Sequence, residues 1–296
     1  MSRIVNVVSV ALKPAGERFL LDALYGSLRD GFDLAVLPET SCGSQADGVD
    51  VDSGVVKKVR EAAKLYGTNI VFPLYLARAG AGRINAALVI DRGGEIRAEY
   101  QKLYPYWSEF ELSPPCAVTG GGDLTARLDF GTIGLAICFD ANFPRVWKNL
   151  DDLGAELVVW SSAYSAGAQL SAYSLIHHYP IVTCTQVPDT AVYDIDGRET
   201  AHVETDGDLI VMERALDLDR RIFHYNFNQD KAERLIRDHG GDIEIEKDYR
   251  REQWFILRSK NPRVSARELA KEYGMTELRA YQSDSMKRID AMRVCI

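Results

Sequence analysis

The chain has 296 residues, 46% of them hydrophobic, and a formal net charge of −8 at pH 7. That length and apolar content can bury a large core, as one big domain or two modest ones. The acidic balance argues against a general affinity for nucleic acid or an anionic membrane, and no apolar stretch approaches the roughly 18 residues that span a bilayer.

Met1-Ser2-Arg3-Ile4 leads straight into a strand-like run and lacks the long apolar segment of a signal peptide. Ile4–Val10 reads as a strand. Leu20, Leu21, Leu24 and Leu28 form a helical stripe closed by Gly31. The short run Asp33-Leu34-Ala35-Val36-Leu37 is a buried strand, ended by Pro38 just before Glu39. Val55, Val56, Val59, Ala63 and Tyr66 make a second helical face, stopped by Gly67. Thr68–Ala77 is the next strand, and Arg83–Asp91 with Ile96–Gln101 flank a hairpin turn at Arg92-Gly93-Gly94. Leu124–Asp129 and Thr132–Cys138 repeat that pattern around Gly131.

A helix around Trp147 follows, then a strand at Glu156–Trp160, a helix near Ala168–Tyr179 and a strand at Pro180–Gln186. The pair His177-His178 falls within that helix and reads as surface cover. Asp196-Gly197 and Asp206-Gly207 mark two further hairpins among short strands ending near Tyr225. Helices lie between some strands and hairpins join others, so mixed sheets sandwiched between helices fit better than one doubly wound parallel sheet. No sequence repeat is visible. From about Asn228 the character changes: residues 229–296 carry 15 Lys/Arg against 13 Asp/Glu, leaving the first 228 residues at −10. This tail has helix patterns near Lys231–His239 and Ser265–Tyr273, with a capping-box pattern at Ser265 and Glu268. Thr276–Arg288 can follow as a second helix of a helix-turn-helix. Glu268, Glu272, Glu277 and Asp284 dilute the basic face that phosphate contact needs, so no nucleic-acid partner is expected.

Five cysteines (42, 116, 138, 184 and 295) are odd in number, scattered and without a CxxC pair. That usage suits a reducing cytoplasm and offers no metal-site spacing. Cys138 stands apart, because it ends the run Thr132-Ile133-Gly134-Leu135-Ala136-Ile137 where a strand turns into a helix. A lone cysteine there is commonly a buried structural residue. As a nucleophile it needs a group to take the thiol proton, and none of the five histidines sits in a site-like loop. A carboxylate can do that work if burial raises its pKa, and Glu39, directly after its strand, is placed for it. Alone, Glu39 reads as a loop or cap carboxylate. Lys102 ends a hairpin strand ahead of Tyr104, Tyr106, Trp107 and Phe110. A cation in such an apolar wall is costly without a carboxylate partner. A partnered lysine can stabilise the oxyanion formed when a thiolate attacks a trigonal carbon.

VLPET around Glu39, YQKLYPYW around Lys102 and GLAICFDANFP around Cys138 resemble the three signature regions of the nitrilase, or carbon–nitrogen hydrolase, superfamily. Order and spacing agree, with 63 residues from Glu39 to Lys102 and 36 from Lys102 to Cys138. The resemblance covers roughly residues 4–228. It implies an α/β fold, an α-β-β-α four-layer sandwich, commonly paired into homodimers or larger assemblies, and hydrolysis without a cofactor or metal. It also implies Glu39 as general base, Cys138 as nucleophile and Lys102 as oxyanion stabiliser, with the Phe139 N–H as companion donor. A second glutamate is expected after the lysine, Glu109 in preference to Glu111. Residues 1–228 are then the hydrolase domain and 229–296 a C-terminal extension packing on a neighbouring subunit.

The expected substrate is a small amide or ureide, cleaved through a thioester at Cys138. Family members acting on N-carbamoyl amino acids tend to carry an arginine a few residues after the cysteine, for a carboxylate. Here those positions are Ala141 and Asn142, and Arg145 lies beyond Pro144. Nitrilases often have Glu two residues after the cysteine, where this chain has Asp140. The expected pocket wall is Tyr106, Trp107, Phe139, Asn142, Trp160, Ser161 and Tyr164, with packing beneath the site as the other reading of Trp160 and Tyr164. The alternatives are a nitrilase, an N-carbamoyl-amine hydrolase, or a non-catalytic or redox-sensing thiol protein.

Overall fold

The computed structural model describes residues 1–43, 48–80, 82–110, 114–115, 123–186 and 189–293. They form two compact units, residues 5–216 and residues 1–4 with 217–296.

The first half of the larger unit runs β1 (Ile4–Leu12), α1 (Glu17–Ser27), β2 (Leu34–Val36), α2 (Gly54–Tyr66), β3 (Asn69–Arg78), β4 (Gly82–Ile90) and β5 (Ile96–Gln101). The second half runs β6 (Thr125–Leu128), β7 (Gly131–Ile137), α3 (Pro144–Asp152), β8 (Leu157–Ser162), α4 (Gly167–His177), β9 (Ile181–Thr185), β10 (Asp189–Tyr193), β11 (Glu199–Glu204) and β12 (Leu209–Asp217). Two six-stranded sheets result, ordered β12-β1-β2-β3-β4-β5 and β11-β10-β9-β8-β7-β6. In the first, β1, β2 and β3 are parallel and β4 and β5 antiparallel. In the second, β7, β8 and β9 are parallel and β10 and β11 antiparallel, with β6 antiparallel to β7 at the far edge. The strand–helix–strand–helix–strand–hairpin order of the first half therefore recurs in the second. The chain holds a duplicated topology without a visible sequence repeat.

Alternation along β1 shows how the layers stack. Val8, Val10 and Leu12 join Leu20 and Leu24 of α1 and Val55 and Val59 of α2 in one core cluster. Ser9, on the opposite face, donates from Oγ to the Thr183 carbonyl of β9 at 3.0 Å. Ser161 of β8 likewise donates to the Leu37 carbonyl at 2.8 Å. The two sheets thus face each other with helices outside, the expected α-β-β-α sandwich.

Two glycines matter for placing the site. At the β4–β5 turn the Asp91 carboxylate accepts from the Gly93 and Glu95 N–H groups. Gly94 there has φ 79°, and a Cβ would lie 2.8 Å from the Arg60 carbonyl oxygen. This tight hairpin delivers Lys102. At Gly134 a Cβ would come within 3.1 Å of Leu150, Ala155 and Val158. The missing side chain lets α3 pack close against β7, the strand that ends at Cys138.

Asp206-Gly207 does not close a hairpin. It links β11 at the edge of one sheet to β12 at the edge of the other. His177 and His178 are buried rather than surface cover: His177 hydrogen-bonds Asp151 at 3.3 Å, and His178 ends α4 in the left-handed region with Nδ1 3.2 Å from the Ile195 carbonyl.

The smaller unit contains β13 (Arg221–His224), α5 (Gln229–His239), β14 (Ile243–Tyr249), β15 (Trp254–Ser259), α6 (Ala266–Glu272) and α7 (Leu278–Arg293). β13 and β14 pair antiparallel to either side of β15. Phe223, Leu235, Ile243, Phe255 and Leu257 form its core. The three tail helices stand where periodicity places them, whereas β14 and β15 carry no strand expectation. β13 pairs with β15, and the unit takes in residues from Asp217 onward together with residues 1–4. Ser265 caps α6 by accepting the Glu268 N–H, and its hydroxyl donates to buried Asp219. Among the described residues no helix is long and apolar enough to cross a membrane.

Candidate active site

Glu39, Lys102, Glu109 and Cys138 come from four different segments of the larger unit and line one cavity of about 590 Å³. Strand ends of both sheets supply three of them. Glu39 follows β2, where Pro38 blocks further pairing. Lys102 follows β5, its own N–H still paired to the Asn85 carbonyl at 2.9 Å. Cys138 follows β7. Glu109 lies in a short turn, Trp107–Glu109, and its carboxylate accepts the Tyr106 N–H at 2.9 Å.

The charges meet at short range. Lys102 Nζ lies 2.7 Å from Glu39 Oε1 and 2.7 Å from Glu109 Oε2. The lysine side chain is 1% exposed, so both ion pairs are cut off from solvent. Burial alone would depress the Lys102 ammonium, but Glu39, Cys138 and Glu109 reverse this and hold its pKa above the ordinary lysine range. Burial would raise Glu109. Lys102, the Tyr106 N–H and Asn85 outweigh it and keep that carboxyl below its usual value. Glu109 is saturated: Tyr75 O–H and Asn85 Nδ2 donate to Oε1, and Lys102 and Tyr106 N–H to Oε2, all within 3.0 Å. Glu39 is held on one side only. Lys102 and Asn85 both bind Oε1, and neither reaches Oε2. Cys138 lines the same cavity, near enough for the Glu39 charge to act on its thiol.

Cys138 has φ 48°, a left-handed backbone that costs a non-glycine residue of the order of 1 kcal/mol. Its neighbours hold it there. Buried Asp140 accepts from the Ile137 N–H at 2.9 Å, the Tyr104 N–H at 3.0 Å and the Tyr100 O–H at 2.6 Å. Trp160 Nε1 donates to the Cys138 carbonyl at 3.1 Å. The turn aims the sulfur into the cavity and leaves the Phe139 N–H at the start of a short helical turn, where amides have no intrahelical acceptor. Burial, then the Glu39 carboxylate, push the thiol up to about 12 against Lys102 and the Ala163 N–H. The thiol is therefore neutral at rest. Thr40, beside Glu39, also has a left-handed backbone (φ 47°), pinned by Gln186, whose amide donates to the Glu39 carbonyl at 2.6 Å and to Thr40 Oγ1 at 2.7 Å.

Of the expected wall, Tyr106, Phe139, Asn142 and Tyr164 line the cavity. Trp107, Trp160 and Ser161 do not. Trp107 is 66% exposed and turns away, its ring 5.5 Å from that of Tyr106. Trp160 is buried beneath the cysteine as a brace, and Ser161 points across to the other sheet. Glu111 lies outside the described residues. Sequence reasoning missed Thr40, Tyr75, Asn85, Ser108, Ala163, Gln169 and Gln186. Only the proximity of Thr40 to Glu39 and of Ser108 to Glu109 offered any signal. Among the described residues, Lys102 is the only cationic side chain lining the cavity, and no group of His, Cys, Asp and Glu has a metal-holding arrangement.

The carbon-nitrogen hydrolase family model matches residues 17–221. A formamidase of Pseudomonas syringae pv. tomato is 29% identical over 140 residues, covering 46% of this chain and 37% of that enzyme. The chain thus spans little more than a third of the length of that relative. Among solved structures, Saccharomyces cerevisiae Nit3, a member of branch 10 of the nitrilase superfamily, has a TM-score of 0.64 and 16% identity, covering 73% of this chain and 90% of that one. A glutamate-to-glutamine mutant of the amidase from Nesterenkonia sp. AN1, carrying the acetamide moiety of fluoroacetamide covalently at its active-site cysteine, has a TM-score of 0.63 and 18% identity, covering 80% and 97%. The duplicated sandwich is the architecture of these structures, and the family match takes in both sheets: the chain belongs to the carbon-nitrogen hydrolase family.

Proposed function

We propose that the protein hydrolyses a non-peptide C–N bond of a small amide or ureide through a thioester at Cys138. The observation that carries this reading is the convergence of Cys138, Glu39 and Lys102 on one cavity, with the Glu39 carboxylate gripped at one oxygen by Lys102 at 2.7 Å. Glu39 takes the thiol proton as the sulfur attacks the carbonyl carbon, and the C=O π pair moves onto oxygen. Lys102 and the Phe139 N–H stabilise that oxyanion. Collapse breaks the C–N bond, and the departing nitrogen takes the proton back from Glu39, leaving as ammonia or an amine. Water then gives a proton to Glu39 and its oxygen to the thioester, releasing the acid and the thiol. Glu109, with four donors, does not shuttle protons; it fixes Lys102. The acetamide adduct on the cysteine of the Nesterenkonia amidase and the similarity to a formamidase support the substrate class.

The cavity's charge narrows that class. Two carboxylates face one ammonium that both already hold, so no cation lining the described wall remains for a substrate carboxylate. Exposed Arg145 does not line it. A neutral or amine-bearing amide fits, and an N-carbamoyl amino acid does not. We read the protein as cytoplasmic and homo-oligomeric, with residues 229–296 packing on a neighbouring subunit; sedimentation of the full chain tests the assembly. The activity is tested by a panel of amides, ureides, carbamoyl-amines and nitriles scored for ammonia, with Cys138→Ala as the blank. Ammonia from amides or ureides, absent with Cys138→Ala, supports the reading. Release from nitriles alone, or a reducible disulfide at Cys138 without hydrolysis, contradicts it.

A further inference from the structure

We infer that Asn85 is a positioning residue: its side-chain amide ties Glu39 to Glu109 and sets the geometry in which Glu39 receives the Cys138 proton. The inference rests on the reading of Glu39 as the proton acceptor.

Asn85 sits inside β4, is 1% exposed, and touches both carboxylates and the backbone of Lys102. Its Nδ2 donates at 2.8 Å to Glu39 Oε1 and at 2.8 Å to Glu109 Oε1, one N–H for each carboxylate. Its carbonyl accepts the Lys102 N–H. In the sheet it lies opposite Tyr75, whose hydroxyl donates to the same Glu109 oxygen. The residue is therefore fixed from β3 on one side and from the lysine strand on the other.

The side-chain oxygen shows that this orientation serves the carboxylates. Asn85 Oδ1 is buried without a hydrogen-bond partner among the described residues, an arrangement that native proteins rarely tolerate. Flipping the amide would aim that oxygen at two carboxylate oxygens, so the donors stay where they are. A neutral donor is also the residue type the charge balance needs. An aspartate would set a third carboxylate against one ammonium. A lysine would cancel the negative charge that draws the thiol proton. Asn85 bridges the pair and does not titrate itself.

Glu39, Glu109, Lys102, Tyr75 and Cys138 are the titratable groups around it. Losing this amide removes one of the bonds that hold the Glu109 carboxyl low and frees Glu39 Oε1 on one side. The test follows alkylation of Cys138 by iodoacetamide between pH 4 and 9, read at the Cys138 peptide by mass spectrometry, which needs no substrate. Asn85→Ala and the same-shaped Asn85→Asp are compared with the wild type, each with circular dichroism to show a folded chain. The expected result is a plateau rate about tenfold lower, with the low-pH limb moved upward by about one unit, in whichever variant folds. A folded variant whose profile superimposes on the wild type overturns the inference. If the wild type hydrolyses no amide while the profiles still shift, the proposed activity fails and the role of Asn85 stands.

Discussion

Lys102 Nζ lies 2.7 Å from Glu39 Oε1 with neither side chain more than 5% exposed. A desolvated ion pair of this kind adds little net stability while intact, and removing one partner strands a buried charge. Lys102 therefore holds the two carboxylates together and, in the proposed mechanism, supplies an oxyanion donor. Lys102→Met leaves two buried carboxylates without a cation. It should lose about 3–5 kcal/mol in denaturant unfolding and at least 10³-fold in kcat. Lys102→Arg keeps the charge but brings a planar fork to a site built for a point donor, and it should not restore turnover. A fully active arginine variant contradicts the assignment.

The thiol should titrate late. Burial and Glu39 push Cys138 up to about 12, so it should stay protonated across neutral pH and, in the proposed mechanism, lose its proton only during attack. The difference in 240 nm absorbance between wild type and Cys138→Ala should show no thiolate band at pH 8 and a rise only as the pH approaches 12. An onset near pH 7 would mean a preformed thiolate and a different division of labour with Glu39.

Asp140 gives the fold a pH dependence of opposite sense to an ordinary ion-paired carboxylate. Burial raises its carboxyl from 3.8 to about 6, against hydrogen bonds from Tyr100 and the Ile137 and Tyr104 N–H groups. A pKa raised in the folded state favours folding fully below about 3.8, and that contribution is lost as pH rises through 6. Asp140→Asn removes this titration and turns an amide donor toward N–H groups. The stability difference between wild type and variant should shrink by at most about 3 kcal/mol from pH 4 to pH 8. The variant's kcat should fall about 10²-fold as the cysteine turn loosens. A stability difference that does not change with pH would remove Asp140 from this role.

Charge at the cavity rim should govern selection. Asn142 lines the cavity within hydrogen-bond reach of Gln169 and Tyr164. For a matched pair of amides, one neutral and one bearing a carboxylate at its far end, kcat/KM should favour the neutral one by about 10²-fold. Asn142→Arg, which adds a cation able to grip a carboxylate, should narrow that ratio about tenfold. Equal rates on both amides in the wild type would refute the charge argument.

The ends of strands were the legible part of the site. Pro38 before Glu39, the hairpin before Lys102 and the apolar run before Cys138 each announce a strand terminus, and the three termini share one cavity. Asn85 was illegible because it lies inside the strand run Arg83–Asp91, where only register with Tyr75 and Lys102 shows what it faces. Trp160 keeps two readings from sequence, wall or packing beneath the site, because aromatic identity does not tell them apart; the strand brings its ring beneath Cys138. The tail run Ile243-Glu244-Ile245-Glu246 does carry the apolar–charged alternation of a half-buried strand, a signal that sequence reasoning missed. The duplicated topology was hidden because strand order is kept without the residues that would mark it.

The most direct test is to find the acyl group. The protein is mixed with a turned-over amide, quenched in acid within one turnover, and digested. A mass equal to the substrate's acyl group, removable by hydroxylamine, should appear on the Cys138 peptide and be absent from Cys138→Ala, which should release no ammonia. Undiminished ammonia release by Cys138→Ala, with no acyl group on that peptide, would contradict the account.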